Sequence, residues 1–307
     1  MTTPQRISGA GLGYAFAAYG LWGLFPLYFL SIRFTNPFEI VSYRILFSLI
    51  FCALVIAAIR KWGRFAQIFR SKRTMLMLGL ASALIYVNWQ TMVIAVVNGQ
   101  VVETALGYFI NPIFTVVLGV VVMRERLRSM QWVAVGVSTI AVIVLTFSYG
   151  GLPWISISLA LSFGLYGLIK KRVGPNVDAL SGLMIESMWM APIAIAQWLI
   201  VSSLFGITAF SRGVPYALLI MAAGPITAIP LMMFTAAIRR IPLSAIGLIQ
   251  YSTPVFSFLL GVFILHEPMP PSRWIGFFIV WIALVILSVD MVRNAQRSRS
   301  ARAAELV

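Results

Sequence analysis

Charge is what this sequence has least of. Only 10% of its 307 residues are Asp, Glu, Lys or Arg, where ordinary soluble domains carry about 25%. Acidic residues are the scarcer sign, eight Asp and Glu against 23 Lys and Arg, for a formal net charge of +15. The single cysteine, Cys52, excludes a disulfide framework and a thiolate metal site. The single histidine, His266, belongs to no H-E-x-x-H pair, no G-x-S-x-G elbow leads into a helix, and no paired acidic motif is present, so no hydrolase signature is found. The missing G-x-x-x-x-G-K loop excludes ATP-driven pumping by this chain. The sequence therefore reads as a non-enzyme that calls for no cofactor or metal.

What fills the space is hydrocarbon: 61% of residues are hydrophobic and the mean hydropathy is +0.96. Ten apolar stretches are predicted as spanning helices, at 9–32, 37–59, 74–97, 100–123, 130–148, 153–169, 179–203, 214–238, 243–265 and 274–292. At 1.5 Å per residue each is about long enough for a core of about 30 Å. The amino-terminal stretch follows one basic residue, Arg6, and has no small-residue cleavage site after a short apolar core, so it reads as a first span and not as a removable signal.

The basic residues then set the orientation. With both termini cytoplasmic, 19 of the 23 fall on the inner side. These are Arg6; the six from Arg60 to Arg73; Arg124, Arg126 and Arg128; Lys170, Lys171 and Arg172; Arg239 and Arg240; and four in the tail. Arg33, Arg212 and Arg273 fall outside, and Arg44 lies within a span. This is the positive-inside pattern of a multi-pass membrane protein. The basic balance is topological and does not indicate nucleic acid as a partner. The tail, 293–307, is expected to be a cytoplasmic basic end facing anionic lipid.

Sliding the chain against itself by 142 residues lays NPIFTVVLGVVVMRERLRSMQW (111–132) on TPVFSFLLGVFILHEPMPPSRW (253–274), with seven identities in 22 positions. A shift of 144 lays YGLWG (19–23) on FGLYG (163–167). The chain therefore divides into repeats at 9–148 and 153–292, each of five spans. Because five is odd, the second repeat enters the membrane from the opposite side, the inverted arrangement that secondary transporters use for alternating access.

Intramembrane charge costs between about 3 and 10 kcal/mol, depending on the reference state, unless a partner or water offsets it. Arg44 and Glu186 lie deepest, and the 142-residue shift makes them mates. Each is seven residues into its helix from opposite faces, about 10 Å at 1.5 Å per residue, which leaves about 10 Å between their levels in a core of about 30 Å. Two polar clusters are predicted to bracket the midplane. The outer one joins Arg44 to Asn88, Trp89, Glu103 and Tyr108, and the inner one joins Glu186 to Gln250 and Tyr251. Each charge reads either as part of a solute pathway or as a structural ion pair. Glu186 and Glu103 are the groups that would titrate in a proton-coupled cycle, whereas a uniporter needs none. Trp22, whose repeat mate is Tyr166, and Tyr43 are aromatic residues placed to line a cavity. Pro112 and Pro254 recur in both halves and are predicted hinges. Glu39 and Asp290 read as interfacial, and Glu125 and Glu267 as loop-structuring.

Several blocks carry a family resemblance across about 280 residues: EIVSYRILFS (39–48), VNWQ (87–90), ETALGYFINPIFTVVLGVVVMRERLRSMQWVAV (103–135), SFGLYGLIKK (162–171), GLMIESMWMAP (182–192), FTAAIRRIPLSAIGLIQYSTP (234–254) and Glu267. On these the chain resembles the EamA-domain branch of the drug/metabolite transporter superfamily, and within it the RarD subgroup, named for chloramphenicol sensitivity. The resemblance implies an all-α integral membrane fold of ten helices in two inverted five-helix EamA repeats in a bacterial-type plasma (inner) membrane, moving a small organic solute. Tyr43 stands where similar sequences commonly carry histidine. The alternative is a scaffold or sensor subunit, whose deep charges would be sealed by protein on both sides, whereas a transporter predicts a solvated pocket touching Arg44 or Glu186 and open to one face.

Overall fold

A computed structural model describes residues 8–97, 101–148, 154–174 and 177–253, with scattered positions between 259 and 293. Twelve helices run through the continuous part: α1 Gly9–Gly23, α2 Phe25–Ser31, α3 Pro37–Ala58, α4 Trp62–Ile68, α5 Lys72–Val97, α6 Val101–Val121, α7 Ser129–Ser148, α8 Trp154–Val173, α9 Ala179–Phe205, α10 Val214–Met221, α11 Ala223–Ile238 and α12 Leu243–Gln250. No strand occurs among the described residues.

Side-chain chemistry sets the helix starts. Asn36 accepts the Phe38 amide at 3.0 Å ahead of Pro37, whose missing N–H is one that a first turn leaves unpaired anyway. Asp178 accepts the Ser181 amide at 3.0 Å and so caps α9. Two predicted spans are interrupted. The first divides into α1 and α2 at Leu24, where Pro26 cannot donate to the turn before it. The eighth divides into α10 and α11 at Ala222. α8 runs on to Val173 and carries Lys170 and Lys171 into the interior, at 3% and 8% exposure, where the charge pattern placed them in an inner loop.

Among the described residues four segments are long and apolar enough to cross a membrane, Pro37–Ala58, Lys72–Ala95, Ala179–Phe205 and Val214–Ile238. Burial reverses the soluble pattern. Leu54, Leu76, Phe147, Trp154 and Leu204 stand exposed, while Arg44, Glu39 and Glu186 are buried. Water would penalise that surface, whereas lipid solvates it. The chain is therefore a multi-pass membrane protein.

The two halves interleave. α3 packs on α9 and α6 on α12, each a helix against its own counterpart 142 residues along. Other contacts come in exchanged pairs: α1 on α11 with α5 on α8, α6 on α8 with α1 on α12, and α3 on α11 with α5 on α9. Glycine allows the closest of these approaches. A Cβ on Gly224 would lie 2.4 Å from the Phe47 backbone, so only glycine lets α11 sit so near α3. Gly247 does the same for α12, 2.8 Å from the Pro112 carbonyl of α6.

Candidate functional site

Arg44 lies on the face of α3 that meets α11, about one turn from Phe47, where Gly224 makes its close approach. Its Nε donates to Thr227 Oγ1 at 3.1 Å. Three aromatic rings surround the guanidinium, with centroids 4.5 Å (Trp89), 5.3 Å (Phe29) and 5.9 Å (Phe25) from its central carbon. These are cation–π distances. The Tyr28 and Tyr108 hydroxyls lie close enough to interact with the charge, but they donate elsewhere, to the Leu219 carbonyl at 3.0 Å and Met92 Sδ at 2.9 Å. Arg44 is 2% exposed. Its Nη1 is buried without a hydrogen-bond partner, and no carboxylate pairs with it among the described residues.

Glu186 is fully closed in. Lys170 donates to its Oε1 at 2.6 Å and the Tyr166 hydroxyl to Oε2 at 3.1 Å. Tyr166 and Lys170 are four residues apart on α8 and so share one face, which was the one sequence signal for this pairing. The Tyr166 ring stacks on Phe234, with centroids 6.1 Å apart. Phe234 leads to Trp22, Tyr19 and Phe163 in one aromatic cluster. The repeat mates Trp22 and Tyr166 thus meet the same central ring.

Depth-matching misplaces other members of the predicted clusters. Asn88 turns to α8 and donates to the Leu159 carbonyl at 3.1 Å and Ser162 Oγ at 3.0 Å, away from Arg44. Gln250 accepts from Thr115 at 3.5 Å. Tyr251 packs on Phe109, Ala141 and Val142, so neither residue bonds Glu186. Height along the membrane normal says nothing about which side of a helix faces a neighbour, and that is where these assignments failed. Tyr43 accepts from Trp198 Nε1 at 3.0 Å and stacks on Phe47. Pro112 lies inside a continuous α6. Pro254, Glu267 and the side chain of Glu103 lie outside the described residues. Thr227, Phe25 and Phe29 were not singled out from the sequence. Thr227 was visible as a polar residue between Pro225 and Pro230.

The two ends of the bundle are tied by carboxylates. Glu39 accepts from the Thr208 amide at 3.0 Å, the Thr208 hydroxyl and the Ala209 amide at 3.2 Å, joining α3 to the loop after α9. Glu125 accepts from the Leu243 and Ser244 amides at 2.7 and 2.8 Å, capping α12 from the end of α6. Lys171 lies 3.8 Å from Glu125 and donates to the Ile241 carbonyl at 2.6 Å. Asp290 pairs with Arg128.

A lipid-facing helical bundle of two interleaved halves, with opposite charges buried inside it, is the architecture of a membrane transport protein. The chain belongs to the EamA-like transporter family, which matches residues 9–147 and again 151–289, and it is a RarD-type member of the drug/metabolite transporter superfamily. It is 46% identical over 290 residues to Protein RarD of Streptomyces exfoliatus, covering 94% of this chain and 91% of that one. It is 36% identical over 293 residues to the uncharacterized transporter YojE of Bacillus subtilis (94% and 97%). It is 35% identical over 288 residues to Protein RarD of Escherichia coli (94% and 97%). A crystal structure 16% identical to it superposes with a TM-score of 0.70, covering 92% of this chain and 98% of that one, which shows a shared fold.

Proposed function

We propose that the protein carries a small organic solute across the plasma membrane by alternating access, using ten spans in two inverted repeats, 9–148 and 153–292, with both termini cytoplasmic. The exchanged helix pairs support the repeat, because a bundle whose contacts map onto themselves under exchange of halves has two related arrangements open to it. The observation that carries the transport reading is the orphan Nη1 of Arg44. Both deep charges are enclosed, Arg44 at 2% and Glu186 at 0% exposure, as a scaffold or sensor subunit also predicts, and no solvated pocket open to one face touches either among the described residues. What favours transport is that Glu186 is paired with Lys170 while Arg44 has no such partner among the described residues. Arg44, held from both halves by Trp89 and Thr227, has donor capacity left over for something that comes and goes.

In this reading Glu186 is the coupling group. Protonating it breaks the ion pair with Lys170, so uptake of a proton changes how α8 and α9 are held together. Without coupling the same pair is a fixed strut. Pro112, lying where α12 comes closest, and its repeat mate Pro254 are the hinges we assign to the exchange.

A thermal-shift screen of purified protein against amino acids, nucleosides and chloramphenicol-like amphiphiles, followed by counterflow of each hit in proteoliposomes, tests the function. Hits that bind and show no counterflow would overturn transport in favour of a sensor. For topology, single cysteines at positions 70 and 212 in a Cys52→Ser background should label from opposite sides of the membrane. Labelling from one side would overturn the assignment.

A further inference from the structure

The orphan donor also constrains the solute, if the transport reading above holds. Arg44 is a permanent cation, 2% exposed, with a hydroxyl on Nε, aromatic faces around its plane and no counter-charge among the described residues. A neutral solute leaves this charge uncompensated each time the site closes around it. A dianion such as phosphate overcompensates it by one charge in the same low dielectric. Counted over the described residues, a monoanion alone brings the closed site to neutrality, and a carboxylate matches the guanidinium fork. The walls fix the rest of the molecule. Phe25, Phe29 and Trp89 offer apolar faces and few hydrogen-bond donors, which suits an aromatic or aliphatic body and suits a sugar or a polyol poorly.

We propose that Arg44 is the receptor for the carboxylate of an amphipathic monocarboxylate solute, with Nη1 donating to it and Phe25, Phe29 and Trp89 flanking its apolar body. The walls come from α2, α3, α5 and α11, that is, from both halves, so movement of one half against the other opens and closes the site. A carboxylate seated there compensates the buried charge of Arg44. Closure around the right solute is thereby favoured and closure around a neutral analogue disfavoured.

The test is equilibrium binding of matched pairs to purified full-length protein. The probes are benzoate, phenylacetate, indole-3-acetate and hexanoate, each beside its primary amide. At least one acid should bind about tenfold or more tightly than its amide, the range expected for a hydrogen bond to a charged group. Arg44→Gln should remove that preference and Arg44→Lys should restore part of it. If Arg44→Gln fails to fold, Arg44→Lys carries the test: its acid-over-amide preference should fall below that of the wild type, and an undiminished preference would overturn the proposal. Equal binding of acid and amide, no binding of either class, or a preference that survives Arg44→Gln would each overturn the proposal. Binding is read without flux. An acid that binds through Arg44 and does not cross proteoliposomes therefore sinks the transport reading alone, while Arg44-independent counterflow of a neutral solute sinks this inference alone.

Discussion

Lys170 Nζ lies 2.6 Å from Glu186 Oε1, with the two side chains 3% and 0% exposed. A pair so deep is held by geometry more than by net energy. Its attraction in a low dielectric roughly offsets the desolvation of the two ions, so removing one partner is far more damaging than removing both.

Lys170→Met should therefore destabilise the protein by about 3 kcal/mol or more, since it strands a buried carboxylate. The double variant Lys170→Met with Glu186→Leu should recover most of that loss. Thermal unfolding of the wild type, Lys170→Met, Glu186→Leu and the double variant in one detergent closes the cycle, and a double variant no better than the single ones would contradict the assignment of Lys170 and Glu186 as a coupled buried pair.

Glu186→Gln keeps one acceptor oxygen, enough for Lys170, and removes the titrating charge. In vesicles with an imposed pH gradient it should retain counterflow and lose gradient-driven accumulation. Unchanged pH-driven accumulation would exclude Glu186 as the coupling group.

Glu125 supplies acceptors for two amides at the start of α12, at 2.7 and 2.8 Å, where Pro242 offers no side-chain cap. Glu125→Ala should cost about 1–2 kcal/mol by leaving those donors open and Lys171 without its carboxylate. Glu125→Gln, which keeps one acceptor, should fall between the two. A thermal midpoint for Glu125→Ala equal to wild type would show that water caps α12 equally well.

Gly224→Ala places a methyl 2.4 Å from the Phe47 backbone, which has no flexible end to move aside. It should push α11 off α3, lower stability by about 1–3 kcal/mol and disturb the Thr227–Arg44 bond one turn away. Gly136→Ala, with nothing within 4 Å of the added carbon, is the control and should show no loss.

Properties that run along the chain could be read from the sequence. Helical character, apolar spans such as 37–59 and 179–203, the 142-residue offset and the low-lying charges all depend on local composition and spacing, because in lipid a backbone must satisfy its own hydrogen bonds and a helix is the way to do it. Trp89 was placed near Arg44 because the two share a level. What depends on rotation about a helix axis was out of reach. Asn88, next to Trp89 in sequence, faces α8 instead, and Gln250 faces Thr115. Lys170 looked like one of three loop cations until α8 ran on past it and turned it inward to Glu186. Tertiary packing decided these matters, through contacts such as Gly224 on Phe47 and Gly247 on Pro112. The rotation and approach of each helix are set by which surfaces fit closely, and a hydropathy pattern carries no record of that fit.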